Sequence, residues 1–261
     1  MNINKRLLVL TVLTVTLASC GLKTAETDPT IKALLITGGG WHDYETQETL
    51  LTEGLSERLD IEWTIMHEGN KEPDYLIPEL QEDDWADGYD VVVHNTGYGR
   101  VMDVEYINHL VESHKGTPAV LIHASVHSYR YAEPADSWFE FMGLQSMKHE
   151  SRREFEVENI AGDHPIMKDY PNKWNTPVDE IYINEKIWGD ITPLARAYGQ
   201  DTEKYHTITW THEYEGTRIF STTLGHENEM FREKLFLDNV ANGLLWAVER
   251  LDTAEKTISS K

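Results

Sequence analysis

The sequence predicts an α/β fold in which a mostly parallel sheet is flanked by helices, in three layers. The first observation is that short apolar runs alternate with amphipathic segments of helical length in the first half of the chain. Such alternation is typical of parallel strands covered by helices on both faces. The second is that no repeat, low-complexity tract or Pro/Ser-rich linker divides the chain, which favours one domain over residues 31–251.

The predicted elements follow one another along the chain. In the first half we expect strands at residues 31–37, 61–68, 89–96 and 118–124 and helices at residues 46–59 and 103–115. In the less regular second half we expect strands at residues 152–159, 194–199, 206–214 and 217–225 and a long closing helix at residues 229–251. Apolar residues at helical spacing indicate the helices, and short apolar runs indicate the strands. Residues 252–261 are polar and are expected to form a frayed tail.

The N-terminus has the pattern of a secretion signal. Lys5 and Arg6 precede an apolar run at residues 7–17, which is far shorter than the roughly 20 residues that a membrane-spanning helix needs. Leu-Ala-Ser-Cys then has the form of a lipobox, so we expect a signal peptide at residues 1–19 and lipidation of Cys20. The alternative is a chance cysteine beside an ordinary cleavage site.

Lipidation would make residues 20–30 a polar tether and place the domain in the cell envelope. With Gly21 after the cysteine, we expect an outer-membrane lipoprotein that faces the periplasm.

Composition excludes several classes of function. The chain has 45 acidic against 23 basic residues and a formal net charge of −22, so it repels nucleic-acid phosphates and anionic lipid. We therefore expect no nucleic-acid partner and no membrane contact beyond the lipid anchor. Cys20 is the only cysteine, which leaves no thiol for catalysis or for a disulfide. Composition does not determine the oligomeric state.

Polar residues follow the predicted strands at the edge where open parallel sheets bind ligands. The third strand leads into His94 and Asn95, and the fourth into His123, Ser125 and His127. We expect these side chains to converge, because the carboxyl ends of parallel strands lie at one edge. Ser125 is not part of a Gly-x-Ser-x-Gly elbow, so a serine hydrolase has little support.

The three glycines at residues 38–40, after the first strand, raise the question of a phosphate-binding loop. The segment matches neither the dinucleotide fingerprint nor the Walker motif, and Asp43 and Glu45 put acids where a phosphate would require cations. Two interpretations remain. One is a tight turn that needs glycine, and the other is a pocket floor in which Gly39 and Gly40 offer backbone N–H groups to a neutral, hydroxyl-rich ligand.

Histidine is the abundant chemical resource, with 12 residues. Imidazole serves as a general base near neutral pH or as a metal ligand. His123 and His127 are spaced as on one helical face, although no His-Glu-x-x-His motif accompanies them. The histidines expected to be satisfied core or surface residues are His67, His109, His114 and His206.

Several aromatic residues near the predicted site suit stacking on a sugar, although most Trp residues simply pack in the core. They are Trp41, Tyr98, Tyr129, Trp138 and Trp210.

Eight segments, in order, resemble the trehalose-utilisation (ThuA-like) family. They are GGGWHDYE, YDVVVHN, LIHAS, MKHE, HPI, DEIY, ITWTHEYEGTRIFSTTLGH and NGLLWAVE, within residues 31–249. The resemblance implies a class I glutamine-amidotransferase-like α/β fold, with the flavodoxin-like three-layer arrangement. In the amidotransferases the strand that corresponds to residues 118–124 leads to a nucleophilic cysteine, whereas this chain has His123, so amidotransferase chemistry is not implied.

The family pattern, carried over by position, together with the strand-end residues, gives a predicted pocket. The predicted catalytic residues are His123, His149, Asp179, Glu180 and His226. The predicted substrate-binding residues are Gly39, Gly40, Trp41, His42, Asn95, His127, His164 and Trp210, with the alternative that His164 before Pro165 only shapes a turn. His123, His149 and His226, with Asp179 or Glu180 as a further candidate, are also the set expected for a divalent metal such as zinc, manganese or cobalt, since neutral imidazoles and a carboxylate suit these ions and disfavour calcium. The alternative is that the same residues act as acids and bases without a metal.

Members of the family are associated with disaccharide and keto-sugar metabolism, which implies a small carbohydrate substrate. A ketone at C3 of a hexose makes the C2 proton acidic, so a base can remove it while a cation or a histidine polarises the enolate oxygen and the C1 substituent leaves. We therefore expect a lyase or hydrolase of 3-keto-glycosides. One alternative is a sugar-binding lipoprotein without turnover. Another is a two-carboxylate glycosidase, disfavoured because the adjacent Asp179 and Glu180 would point to opposite faces of a strand.

Overall fold

The computed structural model describes residues 29–132 and 136–251. The predicted signal peptide with Cys20 and the polar tail lie outside the described residues. The domain predicted for residues 31–251 is therefore described apart from residues 133–135. Within the described ranges, no helix has the length and the apolar character that crossing a membrane would require.

Strands and helices alternate through the first half of the described chain. The strands are β1 (Ile31–Gly39), β2 (Ile61–Glu68), β3 (Val91–Gly97), β4 (Ala119–Ile122), β5 (Leu144–Gln145), β6 (Glu156–Asn159), β7 (Lys173–Asn175), β8 (Lys186–Ile187), β9 (Thr192–Gly199), β10 (Lys204–Tyr214) and β11 (Thr217–Thr222). The α-helices are α1 (Tyr44–Ser56), α2 (Val104–His114), α3 (Ser137–Met142) and α4 (Lys234–Ala247). Each predicted strand overlaps an observed one. The elements that were not predicted, β5, β7, β8 and α3, are too short to show a hydrophobic period.

Nine of the strands form one sheet in the order β2-β1-β3-β4-β11-β10-β9-β6-β7, while β5 and β8 pair separately. β2, β1, β3, β4 and β11 are parallel, which confirms the predicted parallel sheet. The other four extend the sheet by antiparallel pairing. The physical reason is that a parallel neighbour needs a long crossover, usually a helix, and short turns and irregular segments join these strands instead.

Helices cover both faces of the sheet and produce the predicted three layers. On one face Leu51 of α1 and Val240 of α4 enter a shared core. On the other face Leu110 of α2 and Phe141 of α3 do the same. Each side chain of this kind contributes roughly 1.5–3 kcal/mol when fully buried, so the two cores hold the sheet rigid beneath its carboxyl edge.

Aspartates that follow the first and third strands fix where two helices begin. The Asp43 side chain accepts a hydrogen bond from the Thr46 backbone N–H in α1 at 3.4 Å. Asp103 accepts one from the Tyr106 backbone N–H in α2 at 3.0 Å. Such caps satisfy N–H groups that the first helical turn leaves free. The Asp43 cap starts α1 directly after His42 and so keeps that histidine at the carboxyl edge.

The glycines after β1 pack against neighbouring chain. Gly39 has a φ of +97°, and a Cβ atom there would lie 2.7 Å from the carbonyl oxygen of Gly97 on β3. A Cβ atom at Gly40 would lie 3.0 Å from Cβ of Pro73. Close packing therefore explains both residues, as in the tight-turn interpretation. The backbone N–H groups of Gly39 and Gly40 donate to the carbonyl oxygens of Asn70 and Gly97 at 3.2 and 3.1 Å. Contact of these glycines with substrate stays a prediction.

Candidate functional site

Side chains from four parts of the chain meet at the carboxyl edge of the parallel strands. His42 follows β1, His123 follows β4, His226 follows β11, and Glu180 comes from the segment between β7 and β8. The His42 ring centroid lies 4.8 Å from the centroids of His123 and His226, and those two are 5.3 Å apart. We call these four residues the histidine cluster.

His123 occupies a sharp turn directly after β4. Its φ is +47°, a left-handed conformation that is rare outside glycine, and such strain, of order 1–3 kcal/mol, is found at functional sites. Its Nδ1 donates to the Thr223 carbonyl oxygen at 2.6 Å, since a carbonyl can only accept. Burial lowers the pKa of His123 well below its usual range. The ring is therefore neutral, with a lone pair on Nε2.

His42 is held in the same tautomer. Its Nδ1 lies 3.3 Å from the His226 carbonyl oxygen and donates to it. Burial, reinforced by the neighbouring His226, lowers the pKa of His42 to about 4. The preceding residue, Trp41, has a φ of +77° and is 54% exposed, so a second strained turn orients a cluster histidine.

Glu180 is the buried anion of the cluster. Its Oε1 lies 3.2 Å from His226 Nδ1, and its Oε2 lies 3.7 Å from His123 Nε2. Burial by itself would lower the pKa of His226, but Glu180 outweighs burial and raises that pKa. On its outer side, His226 Nε2 accepts a hydrogen bond from Arg152 Nη1 at 2.8 Å. Glu180 therefore favours a proton on Nδ1, while Arg152 keeps Nε2 free of one.

Asp179 lies behind the cluster and clamps the backbone that carries it. Its carboxylate accepts hydrogen bonds from the backbone N–H groups of Glu180, Gly225 and His226 at 2.7, 3.0 and 3.2 Å. Burial raises the pKa of Asp179 to about 7, although these N–H groups oppose the rise. Both oxygens are occupied by backbone, so the structure gives Asp179 a positioning role in place of the predicted catalytic one. Asp179 and Glu180 lie outside the strands, between β7 and β8, and their side chains have different surroundings.

His149 lies at the rim of the cluster. Its Nδ1 donates to the Glu150 carbonyl oxygen at 2.8 Å and lies 3.5 Å from Glu180 Oε1. The side chain is 43% exposed. Because Nδ1 carries the proton, Nε2 is an acceptor on a ring that solvent and substrate can reach.

Tyr182 joins the buried cluster to His127. Its hydroxyl lies 3.3 Å from His123 Nε2, and its ring stacks on the His127 ring at 3.6 Å. His127 Nε2 lies 2.9 Å from Ser146 Oγ, and burial lowers the pKa of His127 well below its usual range. His127 is thus a buried neutral residue of the wall, beside the cluster.

Asn95 reaches the cluster only through a neighbour. Its buried Nδ2 donates to Gln47 Oε1 at 3.2 Å, and Gln47 Nε2 donates to the carbonyl oxygens of Gly225 and His226 at 3.4 and 3.2 Å. Asn95 and Gln47 therefore support the turn that carries His226. The prediction that Asn95 contacts substrate directly does not fit this arrangement, because the Asn95 side chain is buried.

Two predicted substrate-binding residues lie away from the cluster, and both corrections have a packing reason. Trp210 is fully buried against α3, where its Nε1 donates to the Met142 carbonyl oxygen at 2.7 Å. His164 Nδ1 accepts from the Ile166 backbone N–H at 3.3 Å, and its ring lies 6.1 Å from that of Trp246. His164 therefore shapes a turn, which was the alternative interpretation.

The remaining aromatic residues and histidines named from the sequence differ in exposure and in hydrogen bonding. Among the aromatic residues expected near the site, Trp41 is exposed, and those that are buried are Tyr98, Tyr129, Trp138 and Trp210. The histidines expected to be satisfied all have polar partners: His67, His109, His114 and His206. Trp41 is thus the one residue of that aromatic set that a sugar can reach.

The grouping best suited to a metal differs from the predicted one. One ring nitrogen from each of His42, His123 and His226 lies within 4.8 Å of the other two. His149, which the sequence placed in this set, is held at the rim by Glu150. His42 takes its place because β1 and β4 deliver their terminal residues to the same edge.

Sequence reasoning missed three residues of the site. Gln47 lies in a helix that the sequence shows only as amphipathic, and no motif marks it. Arg152 is the second residue after the MKHE segment, and Tyr182 ends the DEIY segment, so both lie in or near the family motifs. Their roles depend on spatial neighbours and not on spacing along the chain.

A surface cavity of about 620 Å³ lies away from the histidine cluster, at the opposite edge of the sheet. Its lining includes Trp188, His212 and the acids Glu140 and Glu213, and none of the predicted catalytic residues is among the lining residues. The carboxyl edge is where open α/β sheets bind ligands, and the reactive groups lie there.

Known structures share this architecture. A ThuA-like protein from Parabacteroides merdae is 21% identical with a TM-score of 0.63, over 84% of this chain and 90% of that chain. A ThuA-like protein from Bacteroides uniformis is 16% identical with a TM-score of 0.60, over 86% of this chain and 96% of that chain. A GMP synthase subunit from Thermoplasma acidophilum is 11% identical with a TM-score of 0.53, over 90% of this chain and 100% of that chain.

At these identities the likeness establishes the fold alone, which is the glutamine-amidotransferase-like arrangement. A search among curated proteins finds no match. The family model for ThuA, trehalose utilisation, matches residues 32–247. That match runs from β1 to the end of α4 and includes every residue of the histidine cluster. The chain therefore belongs to the ThuA, trehalose-utilisation, family.

Proposed function

We propose that this protein is a carbohydrate-processing enzyme that cleaves 3-keto-glycosides by proton abstraction and elimination. The observation that carries the proposal is a half-exposed histidine, His149, held 3.5 Å from the buried carboxylate Glu180 beside three further histidines. Histidine rings beside a carboxylate suit proton transfer. Membership of a trehalose-utilisation family supports a small carbohydrate as the substrate.

His149 is the proposed general base. Its Nδ1 proton is committed to the Glu150 carbonyl oxygen at 2.8 Å, so Nε2 has the free lone pair. Glu180, 3.5 Å from Nδ1, stabilises the positive charge that His149 gains when it takes a proton. General acid-base assistance of this kind is worth roughly 10²–10⁴-fold in rate.

The proposed reaction balances without a nucleophile or a redox partner. His149 Nε2 removes the C2 proton of a sugar that carries a ketone at C3, and the C–H electron pair forms the enolate. The enolate then collapses, the ketone reforms, a C1–C2 double bond appears and the C1–oxygen bond breaks. His149 returns its proton to the departing oxygen. Arg152, which contacts His226 at 2.8 Å, supplies positive charge at the rim.

The proposal is tested by comparing a 3-keto methyl glucoside with methyl glucoside as substrates of the purified protein. We expect turnover of the keto form far above that of the parent. His149→Ala should lower kcat by about 10²–10⁴-fold and leave the melting temperature unchanged, because the side chain is half-exposed. His109→Ala, on the outer surface of α2, is the matched control and should keep wild-type kcat.

Two outcomes would contradict the proposal. Full activity of His149→Ala would remove the base. Tight sugar binding without turnover of either glucoside would favour a sugar-binding lipoprotein instead.

A further inference from the structure

The ring nitrogens of the histidine cluster carry free lone pairs, whereas the proposed reaction needs an electrophile that stabilises the enolate oxygen. His42 and His123 donate their Nδ1 protons to backbone carbonyl oxygens at 3.3 and 2.6 Å, so both Nε2 atoms are acceptors. Glu180 adds a buried carboxylate. Acceptors packed together out of water are unfavourable unless a donor or a cation lies among them. Among the described residues, the Tyr182 hydroxyl lies at a long 3.3 Å from His123 Nε2, and His226 Nδ1 lies 3.2 Å from Glu180 Oε1 without acceptable hydrogen-bond geometry.

The spacing of the ring nitrogens fits one ion. The three nitrogens lie within 4.8 Å of one another, so a point between them is at most about 2.8 Å from each, against about 2.0–2.1 Å for a zinc–imidazole bond. Ring rotations that shift each nitrogen by less than about 1 Å would close this gap. Glu180 borders the same space, 3.2 Å from His226 Nδ1 and 3.7 Å from His123 Nε2.

We propose that His42, His123 and His226, with Glu180 as the fourth ligand, bind one divalent transition-metal ion. Three imidazoles and one carboxylate favour zinc, manganese or cobalt over calcium, which prefers an all-oxygen shell. Backbone carbonyls already hold His42 and His123 in the tautomer that a metal requires, as outer partners of metal-bound histidines do.

The surroundings of His226 are consistent with its place among the ligands. Its Nδ1 is buried and has no hydrogen-bond partner of acceptable geometry among the described residues. When Nδ1 binds the ion, the ring proton lies on Nε2, 3.5 Å from Glu227 Oε1, which can accept it. Arg152 then keeps its contact with Glu227 at 2.8 Å and gives up its donation to the ring.

The chemical role of the ion rests on the proposed function. A cation in the cluster polarises the C3 carbonyl oxygen of the keto-sugar and neutralises the enolate. His149 stays outside the ligand set, because Glu150 holds its Nδ1 and the ring is half-exposed. It remains free to act as the base.

Metal binding is measured apart from activity. The purified protein is stripped with EDTA, dialysed and titrated separately with Zn²⁺, Mn²⁺, Co²⁺ and Ca²⁺, and bound metal is counted by elemental analysis. We expect one transition-metal ion per chain, a melting temperature that rises with its concentration, and no response to calcium. Bound cobalt should also give the visible absorption of a nitrogen- and oxygen-ligated site.

Two variants with the same chemical change locate the ion. His42→Gln should weaken binding by more than about 100-fold, since loss of an outer partner alone costs 10–100-fold. His149→Gln is the matched control and should keep wild-type affinity. Circular dichroism of both variants without metal shows that each is folded.

Two results would overturn the metal site: no stoichiometric uptake by the wild-type protein, or equal losses of affinity in His42→Gln and His149→Gln. Full turnover of the keto-glucoside by metal-free protein would overturn the chemical role of the ion and leave the proposed function standing. Stoichiometric metal binding without turnover would support the metal site and contradict the proposed reaction.

Discussion

Two buried histidines below the site, His94 on β3 and His114 on α2, share a single hydrogen bond. His114 Nδ1 donates to the Thr117 carbonyl oxygen at 2.9 Å, so its Nε2 accepts from His94 Nε2 at 3.1 Å. Trp85 and Trp138 pack edge-on against the pair. A proton added to His114 would set two N–H groups against each other in an apolar core. Burial accordingly lowers the pKa of His114 to about 4 and that of His94 well below its usual range.

This pair predicts acid sensitivity. In the unfolded chain both histidines bind a proton near pH 6.5, whereas in the folded protein His114 does so near pH 4. Between these values the unfolded state binds more protons, so the free energy of unfolding falls as the pH falls, by up to about 1.4 kcal/mol per pH unit for each histidine. Urea unfolding from pH 7 to pH 4.5 measures the slope.

The double variant His94→Leu, His114→Leu should have a shallower slope, because two of the titrating groups are gone and no polar partner is left behind. Histidine NMR titration of the wild-type protein is the check that does not depend on the variant. Either ring titrating near pH 6.5 in the folded protein would contradict the prediction.

Asp179 gives a second prediction at the residue scale. Asp179→Asn keeps the shape but turns one acceptor into an N–H donor that faces backbone N–H groups. We expect a loss of about 1–3 kcal/mol in the free energy of unfolding. Asp103→Asn is the matched control and should cost little, since Asn caps helices as well as Asp. Equal stability of Asp179→Asn and wild type in urea would show that the clamp is unimportant.

At the scale of elements, α4 packs unusually close to the sheet. Gly243 lies in the helix interior, where Gly→Ala normally stabilises by roughly 0.5–1 kcal/mol. Here a Cβ atom would overlap the ring of Phe220 on β11. The glycine permits the close contact between α4 and the strand that leads to His226.

Gly243→Ala should therefore destabilise the protein, reversing the usual sign, by the roughly 1–3 kcal/mol typical of overpacking. Gly54→Ala in α1 is the comparison, because its Cβ would meet the Cδ1 atom of Leu237 at 2.7 Å, the flexible end of a side chain. We expect a smaller loss there. Calorimetric melting of both variants measures these losses. A melting temperature of Gly243→Ala above that of the wild-type protein would contradict the packing argument.

At the scale of the whole molecule, the chain enters the domain at the edge opposite the site. β1 begins at Ile31, and the carbonyl oxygen of Pro29 accepts from Arg250 Nη1 at 2.6 Å, beyond the end of α4. The histidine cluster lies beyond the carboxyl end of β1. An anchor at Cys20 would thus leave the site facing away from the membrane.

The proposed anchor has a direct test. Wild-type protein should begin at Cys20 and partition into the detergent phase, since acyl chains supply the membrane affinity that an acidic domain lacks. Cys20→Ala should be unprocessed or released as soluble protein, as seen by phase partition and N-terminal mass. Recovery of Cys20→Ala in the membrane fraction, cleaved at the same site, would disprove lipidation.

The sequence by itself determined the parallel half of the sheet and the ends of its strands. Hydrophobic runs and helical spacing report which residues are buried, and burial is what holds those elements together. Because parallel strands end at one edge, the strand ends and the family motifs together predicted the place of His42, His123 and His226. The antiparallel half was less evident, since its pairing depends on connection length and not on local pattern.

Tertiary structure alone decided what each polar residue does. Asp179 and Glu180 are adjacent and chemically alike, yet one binds backbone N–H groups and the other faces histidine rings. Trp210 and Trp41 are both aromatic, yet one fills the core and the other is exposed. Hydrogen-bond partners and burial come from residues distant in the chain, and these contacts set tautomer, charge and access. Composition and spacing carry no record of them, so the roles appear only when the fold brings the partners together.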